Sequence, residues 1–158
     1  MVDKELIMKW LLEENIYKNE NSEETSNFHL IINYPEGHMM DVIQPKDKPD
    51  VILIGCAFEL NPNQLSVINN ASNDKKSKFI WDIRLTLNEM LLDFQLEHPN
   101  NVLRKFVITE EIYEDALTKD YLMKTIKKVF KGNLQCLWMI DKTFGNVMNV
   151  NNQNIQYL

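Results

Sequence analysis

Three histidines and two cysteines are the side chains of this 158-residue chain best suited to act as ligands, bases or nucleophiles: His29, His38, His98, Cys56 and Cys136. A zinc site draws three or four such groups together, and its usual signature is a pair of ligands one helical turn or one tight knuckle apart. Here no two histidines stand four apart and no thiol neighbours any of them. No metal site is expected, and the histidines read as surface polar residues. A Cys-His-acid arrangement could be drawn from Cys56, His29 and Asp41, with the imidazole taking the thiol proton and the carboxylate orienting the ring. Cys56 lies in the apolar run 51–58, however, and an apolar setting raises a thiol's pKa and quiets it. Both cysteines therefore read as buried thiols that fill space like small hydrophobes, and no catalytic residue is assigned.

Arginine is scarce, with only Arg84 and Arg104 beside 15 Lys and 19 Asn. Arg84 closes the run Trp81-Asp82-Ile83-Arg84. Adjacent helical positions do not share a face, so Asp82 and Arg84 should point apart, leaving Arg84 to pair with Asn88 or a strand carboxylate. Its planar fork also suits a partner's carboxylate. The four glycines, Gly37, Gly55, Gly132 and Gly145, are far apart, which excludes a glycine-rich loop for phosphate or dinucleotide. No cofactor is implied.

The net charge of −6 and pI near 5.1 argue against a polyanion partner. The one basic cluster is Lys124, Lys127, Lys128 and Lys131, and a run of charge on a helix is ordinarily a solvated face, so no nucleic-acid partner is expected. No stretch approaches the roughly 18 apolar residues of a membrane span, and the first residues lack the basic and apolar regions of a leader. A cytoplasmic protein without a membrane partner is expected, in which the sequon Asn70-Ala-Ser72 has no consequence.

The elements that would position these groups follow from hydrophobic period. Residues 4–19 place Leu6, Ile7, Trp10 and Leu11 three and four apart behind the cap Asp3, predicting an amphipathic helix. The polar stretch 20–27 reads as a loop. Alternation over 28–34, then short apolar runs at 39–44 and 51–58, separated by Pro-containing turns, predict three strands in an antiparallel meander. The run at 51–58 is apolar on both faces and should be central. Asn61-Pro62 opens a short helix to about Asn69. A long helix is predicted over 76–97, with Ile80, Ile83, Leu87, Met90, Leu91 and Phe94 on one face. One long or two short strands follow over 102–113. A last helix capped by Thr118 continues through Leu122, Ile126, Val129, Phe130, Leu137 and Ile140, with a bend possible at Gly132. The resulting fold class is α+β, a two-layer sandwich of helices on a mainly antiparallel sheet in the order α-β-β-β-α-β(β)-α. Residues 1–145 form one domain in this reading, and 146–158 a polar, mobile tail.

In this order of elements, Phe28-His-Leu-Ile-Ile-Asn-Tyr-Pro35, Val42-Ile-Gln-Pro-Lys46, Phe79-Ile-Trp-Asp-Ile-Arg84, Ile112-Tyr-Glu-Asp-Ala-Leu-Thr-Lys-Asp120 and the helix holding Leu137-Trp138 stand out. The sequence resembles, through these stretches, a family of uncharacterised, mostly archaeal proteins with a type III secretion chaperone-like fold. The resemblance implies that fold and a tendency to dimerise. It supplies no activity and no catalytic residue.

Two functional classes remain. The first is a non-enzymatic protein-binding module, chaperone-like or adaptor in character, that forms a homodimer and uses helix surface left over once the sheet is covered. Interfaces favour Trp, Met and Arg at their centres, so Trp81, Arg84, Leu85 and Trp138 are the candidate contacts. The alternative is a small-molecule sensor or enzyme with a pocket between the sheet and the long helix, where His29, Tyr34 and Arg84 would converge.

Overall fold

The computed structural model describes residues 2–145; the expected tail at 146–158 lies outside them. The fold is α+β, with four α-helices and a six-stranded sheet ordered β1-β2-β3-β4-β6-β5. In chain order the elements are α1 (Lys4–Glu13), β1 (Tyr17–Asn21), β2 (Ser26–Asn33), β3 (Met39–Pro45), β4 (Val51–Glu59), α2 (Pro62–Asn69), α3 (Asn73–Glu89), β5 (Asp93–Glu97), β6 (Lys105–Tyr113) and α4 (Lys119–Phe144). Single 3-10 turns at Pro99–Asn101 and Glu114–Ala116 flank β6. The antiparallel meander is present as β2-β3-β4, and β4, expected to be central, lies between β3 and β6.

The expected order lacked two of these strands, β1 and β5, for the same reason in each case. The first helix stops at Glu13, not near residue 19, because Asn15 turns left-handed at φ 57°. The Asn15 N–H then donates to the Leu12 carbonyl and the Ile16 N–H to the Leu11 carbonyl, which satisfies the orphan acceptors of the last turn. The chain leaves as β1 through residues expected to be helix and loop. The long helix ends in the same way at Glu89, not 97. Leu91 takes φ 58°, its N–H donates to the Asn88 carbonyl, and the Leu92 N–H donates to Leu87. Met90, Leu91 and Phe94 thus do not extend the helical stripe, and residues 93–97 pair as β5. Leucine is a poor choice for a left-handed position, so no local signal marked the break.

Other terminal signals act as expected. Asp3 accepts from the Glu5 and Leu6 N–H groups. Asn61 and Gln64 form a reciprocal capping box ahead of Pro62. The Thr118 hydroxyl accepts from the Tyr121 N–H. Helix α4 runs unbroken from Lys119 to Phe144 through Gly132.

The described residues gather into two compact units, one from 2–56 with 108–131, the other from 57–107 with 132–145. In the first, α1 buries Ile7 and Leu11, the strands bury Leu30, Ile32, Met40, Val42, Ile52 and Ile54, and the first half of α4 buries Leu122, Ile126, Val129 and Phe130. The Phe130 ring meets Tyr34 and His38 edge-on at 6.0 and 5.3 Å between centroids. Lys119 reaches both Glu13 and Glu14 at 2.8 Å, joining the ends of α4 and α1. In the second unit, α3 buries Phe79, Ile80, Ile83 and Leu87, with Phe79 edge-on to Phe144 at 4.8 Å and Phe58 stacked on Phe106 at 5.4 Å.

Candidate functional site

Helix α3 has apolar side chains on more than the face it buries. With Ile80, Ile83 and Leu87 turned inward, the 3.6-residue period carries Lys78, Asp82, Leu85, Thr86 and Glu89 to another side. There they line an open groove of roughly 640 Å³ with Gln135, Trp138, Met139, Lys142 and Thr143 of α4. Leu85, Trp138 and Met139 are its apolar lining. Leu85 and Trp138 stay 58% and 48% exposed, and Trp81, one turn before Leu85, stays 57% exposed. The rim carries two cations, Lys78 and Lys142, and two acids, Asp82 and Glu89, with Lys78 on Asp82 at 2.6 Å.

Of the four candidate contacts, the groove unites Leu85 and Trp138. Trp81 and Arg84 instead form a pair of their own, the guanidinium carbon 5.0 Å from the indole centroid. Arg84 pairs with neither Asn88 nor a strand carboxylate: it donates to His98 Nε2 at 3.0 Å. Lys78, Glu89, Gln135 and Lys142 were not foreseen as lining residues. Spacing could have flagged them, since each lies three or four residues from Leu85, Trp138 or Asp82 on its helix.

The histidines behave differently from expectation. His29 is buried. Its Nδ1 lies 2.5 Å from Glu23 Oε1 and its Nε2 2.6 Å from Asp41 Oδ1. On the sheet His29 pairs with Ile43, which puts Asp41 in the diagonal position on the same face. An ionised carboxylate only accepts, so the ring can satisfy both partners at once only as the doubly protonated imidazolium. Burial by itself lowers the His29 pKa, but the hydrogen bonds to Asp41 and Glu23 and their charges outweigh it and raise it above 6.5. Neither nitrogen is left to take a proton from Cys56. That thiol lies instead 4.0 Å from the Met39 carbonyl oxygen, and burial, with a smaller contribution from Asp41, pushes it up to about 12. The Cys56, His29 and Asp41 arrangement is therefore not a catalytic triad. His38 is half-buried against Phe130, and burial lowers its pKa.

Tyr34 and His29 sit in different surroundings. Tyr34 lines a surface hollow with Asn15, Ile16, Asn33, Pro35 and Glu36, while His29 is enclosed by its two carboxylates. Among the described residues no cluster of His, Cys, Asp and Glu is arranged to hold a metal ion, and no helix is long and apolar enough to cross a membrane.

The family model described as "uncharacterized conserved protein (DUF2299)" matches residues 3–140. The chain belongs to that family. A crystal structure of another uncharacterized protein, from Methanothermobacter thermautotrophicus, is 46% identical and superposes with a TM-score of 0.88, over 91% of this chain and 100% of that one. A second solved structure, YbjN from E. coli, is 12% identical with a TM-score of 0.47, over 85% of this chain and 90% of that one. No curated protein matches. The Methanothermobacter structure thus shows the fold of this DUF2299 chain in a second member of similar sequence.

Proposed function

We propose that the protein is a non-enzymatic protein-binding module, chaperone-like or adaptor in character, that acts as a homodimer through the α3–α4 groove. The observation that carries this reading is the exposure of Leu85 and Trp138 across one groove, with Trp81 one helical turn away. Aromatic and aliphatic side chains left together in water retain burial free energy that a partner surface can release, at about 25 cal/mol per Å². The rim supports a second copy as that partner. Its two cations and two acids balance, so a second copy brings no like-charge excess to the groove. A strongly basic or acidic partner would find no net charge to match. The reading is of a cytoplasmic protein, a setting that suits a chain whose two cysteines are both buried.

Light scattering on the full chain, diluted through the micromolar range, tests the proposal. A dimer mass that falls to the monomer on dilution, and falls at higher concentration for Trp138→Ala, is the expected result. A monomer at every concentration removes the homodimer.

A further inference from the structure

The His29 cluster is the one place in the described chain where a buried titratable ring is held by two charged groups from different segments. Glu23 comes from the connection between β1 and β2, Asp41 from the middle of β3, and the ring between them from β2. The neighbouring element β4 contributes Cys56, whose thiol lies near enough to Asp41 to feel its charge. The two carboxylates supply both the hydrogen bonds and the charges that raise the ring's pKa. The connection itself is short and polar, and its other fastening is one backbone bond, from the Lys46 N–H to the Thr25 carbonyl at 3.0 Å. It also carries a cost in the closed position. At its end the Ser26 side chain is buried with its hydroxyl unpartnered among the described residues. An unsatisfied buried hydroxyl favours the conformation that returns it to water. Glu20, Glu23, Ser26, Phe28 and Lys46 line a polar hollow of roughly 550 Å³ on this same connection.

We propose that His29, gripped on both ring nitrogens by Glu23 and Asp41, is a proton-dependent latch that holds the 22–25 connection against the sheet and frees it when the ring loses its charge. The neutral imidazole has a single N–H, so it can donate to only one carboxylate, and the other is left facing a lone pair. Loss of the proton thus breaks one arm of the clamp outright. Because β2 and β3 stay joined by their ladder, the Glu23 arm is the one that yields, and the connection swings while the strands remain.

Proton NMR of the full chain from about pH 5 to pH 9 tests this, following the His29 ring while amide hydrogen exchange is read at residues 22–25. The expected ring midpoint lies above 6.5. Exchange at these amides, corrected for its ordinary rise with pH, should accelerate through that same midpoint while the β2 and β3 amides do not. In Glu23→Gln, which keeps the shape and removes the charge, the midpoint should move down toward 6.5 and the connection should exchange fast already at the acid end. A ring midpoint at or below 6.5, a midpoint unmoved in Glu23→Gln, or loop protection that follows the same pH profile in the wild type and in His29→Gln would overturn the latch. If His29→Gln does not fold, the wild-type titration and Glu23→Gln decide the matter.

Discussion

His29 on β2 and Trp138 on α4 meet opposite fates. The imidazole, a group made for solvent and for chemistry, is buried with both nitrogens committed to carboxylates of its own chain. The indole, made for a core, is 48% exposed at the wall of a groove. In the first region the imidazole has both ring nitrogens satisfied within the chain and keeps neither with which to hold a ligand, metal or thiol. The second has left apolar surface unsatisfied, and only something outside the described fold can cover it. A functional surface is therefore better sought where burial is incomplete than where reactive residue types happen to converge.

Substitutions on a single helix break or sharpen this contrast. Ile83 and Leu85 are two residues apart on α3, the first fully buried and the second 58% exposed. Ile83→Ala should cost about 2–5 kcal/mol of unfolding free energy in urea, through lost burial and the cavity left behind. Leu85→Ala should change stability by no more than about 0.5 kcal/mol when measured on the dilute monomer. If Leu85→Ala proves as costly as Ile83→Ala, the groove is part of the core and not a contact face.

Trp138→Ala should separate association from folding. The dimer dissociation constant is expected to rise about tenfold or more, as for an interface aromatic, while monomer stability moves by no more than about 0.5 kcal/mol. Sedimentation and denaturant melts on the same samples check both halves.

At His29 the effect should depend on pH, and its sign is fixed. Because the folded pKa is raised above 6.5 by the two carboxylates, the stabilisation is complete below 6.5 and is lost as pH climbs through the folded value. His29→Gln should cost roughly 1–3 kcal/mol near pH 5.5 and progressively less in alkaline buffer. A loss that grows with pH would mean that the ring is buried neutral, and the contrast with Trp138 would then rest on packing alone. Leu91→Gly should stabilise the chain by about 0.5–1 kcal/mol, since φ 58° strains a leucine and not a glycine. Thermal melts would show it, and a loss of stability would mean that the Leu91 side chain contributes more than its backbone strain costs.

Much of the fold was legible because its signals are local. Asp3, Asn61 with Pro62, and Thr118 cap the helices they were expected to cap, and alternation over 28–34 with the apolar runs at 39–44 and 51–58 located β2, β3 and β4. β1 and β5 were not legible. Both are edge strands that follow helices ending on a left-handed residue without glycine, Asn15 and Leu91; β1 is almost wholly polar, and β5 alternates over only five residues whose Phe94 also fits the stripe of the preceding helix. At the site, Leu85 and Trp138 were found because apolar residues in excess of a helix's buried stripe can be counted. The rim was missed because charged residues on a helix look alike whether they border a groove or open water.

The sequence by itself determined the fold class, the buried helix stripes, the lack of a phosphate loop and the presence of surplus tryptophan, since period, caps and composition act over a few residues. Tertiary structure alone decided that Asp41 and Glu23 meet on His29, that Arg84 turns to His98, and that Leu85 and Trp138 share one groove. Those contacts join residues separated by 6 to 53 positions, read from the numbers of the paired residues. Such pairings depend on strand register and on the azimuth of one helix against another, which no local pattern encodes.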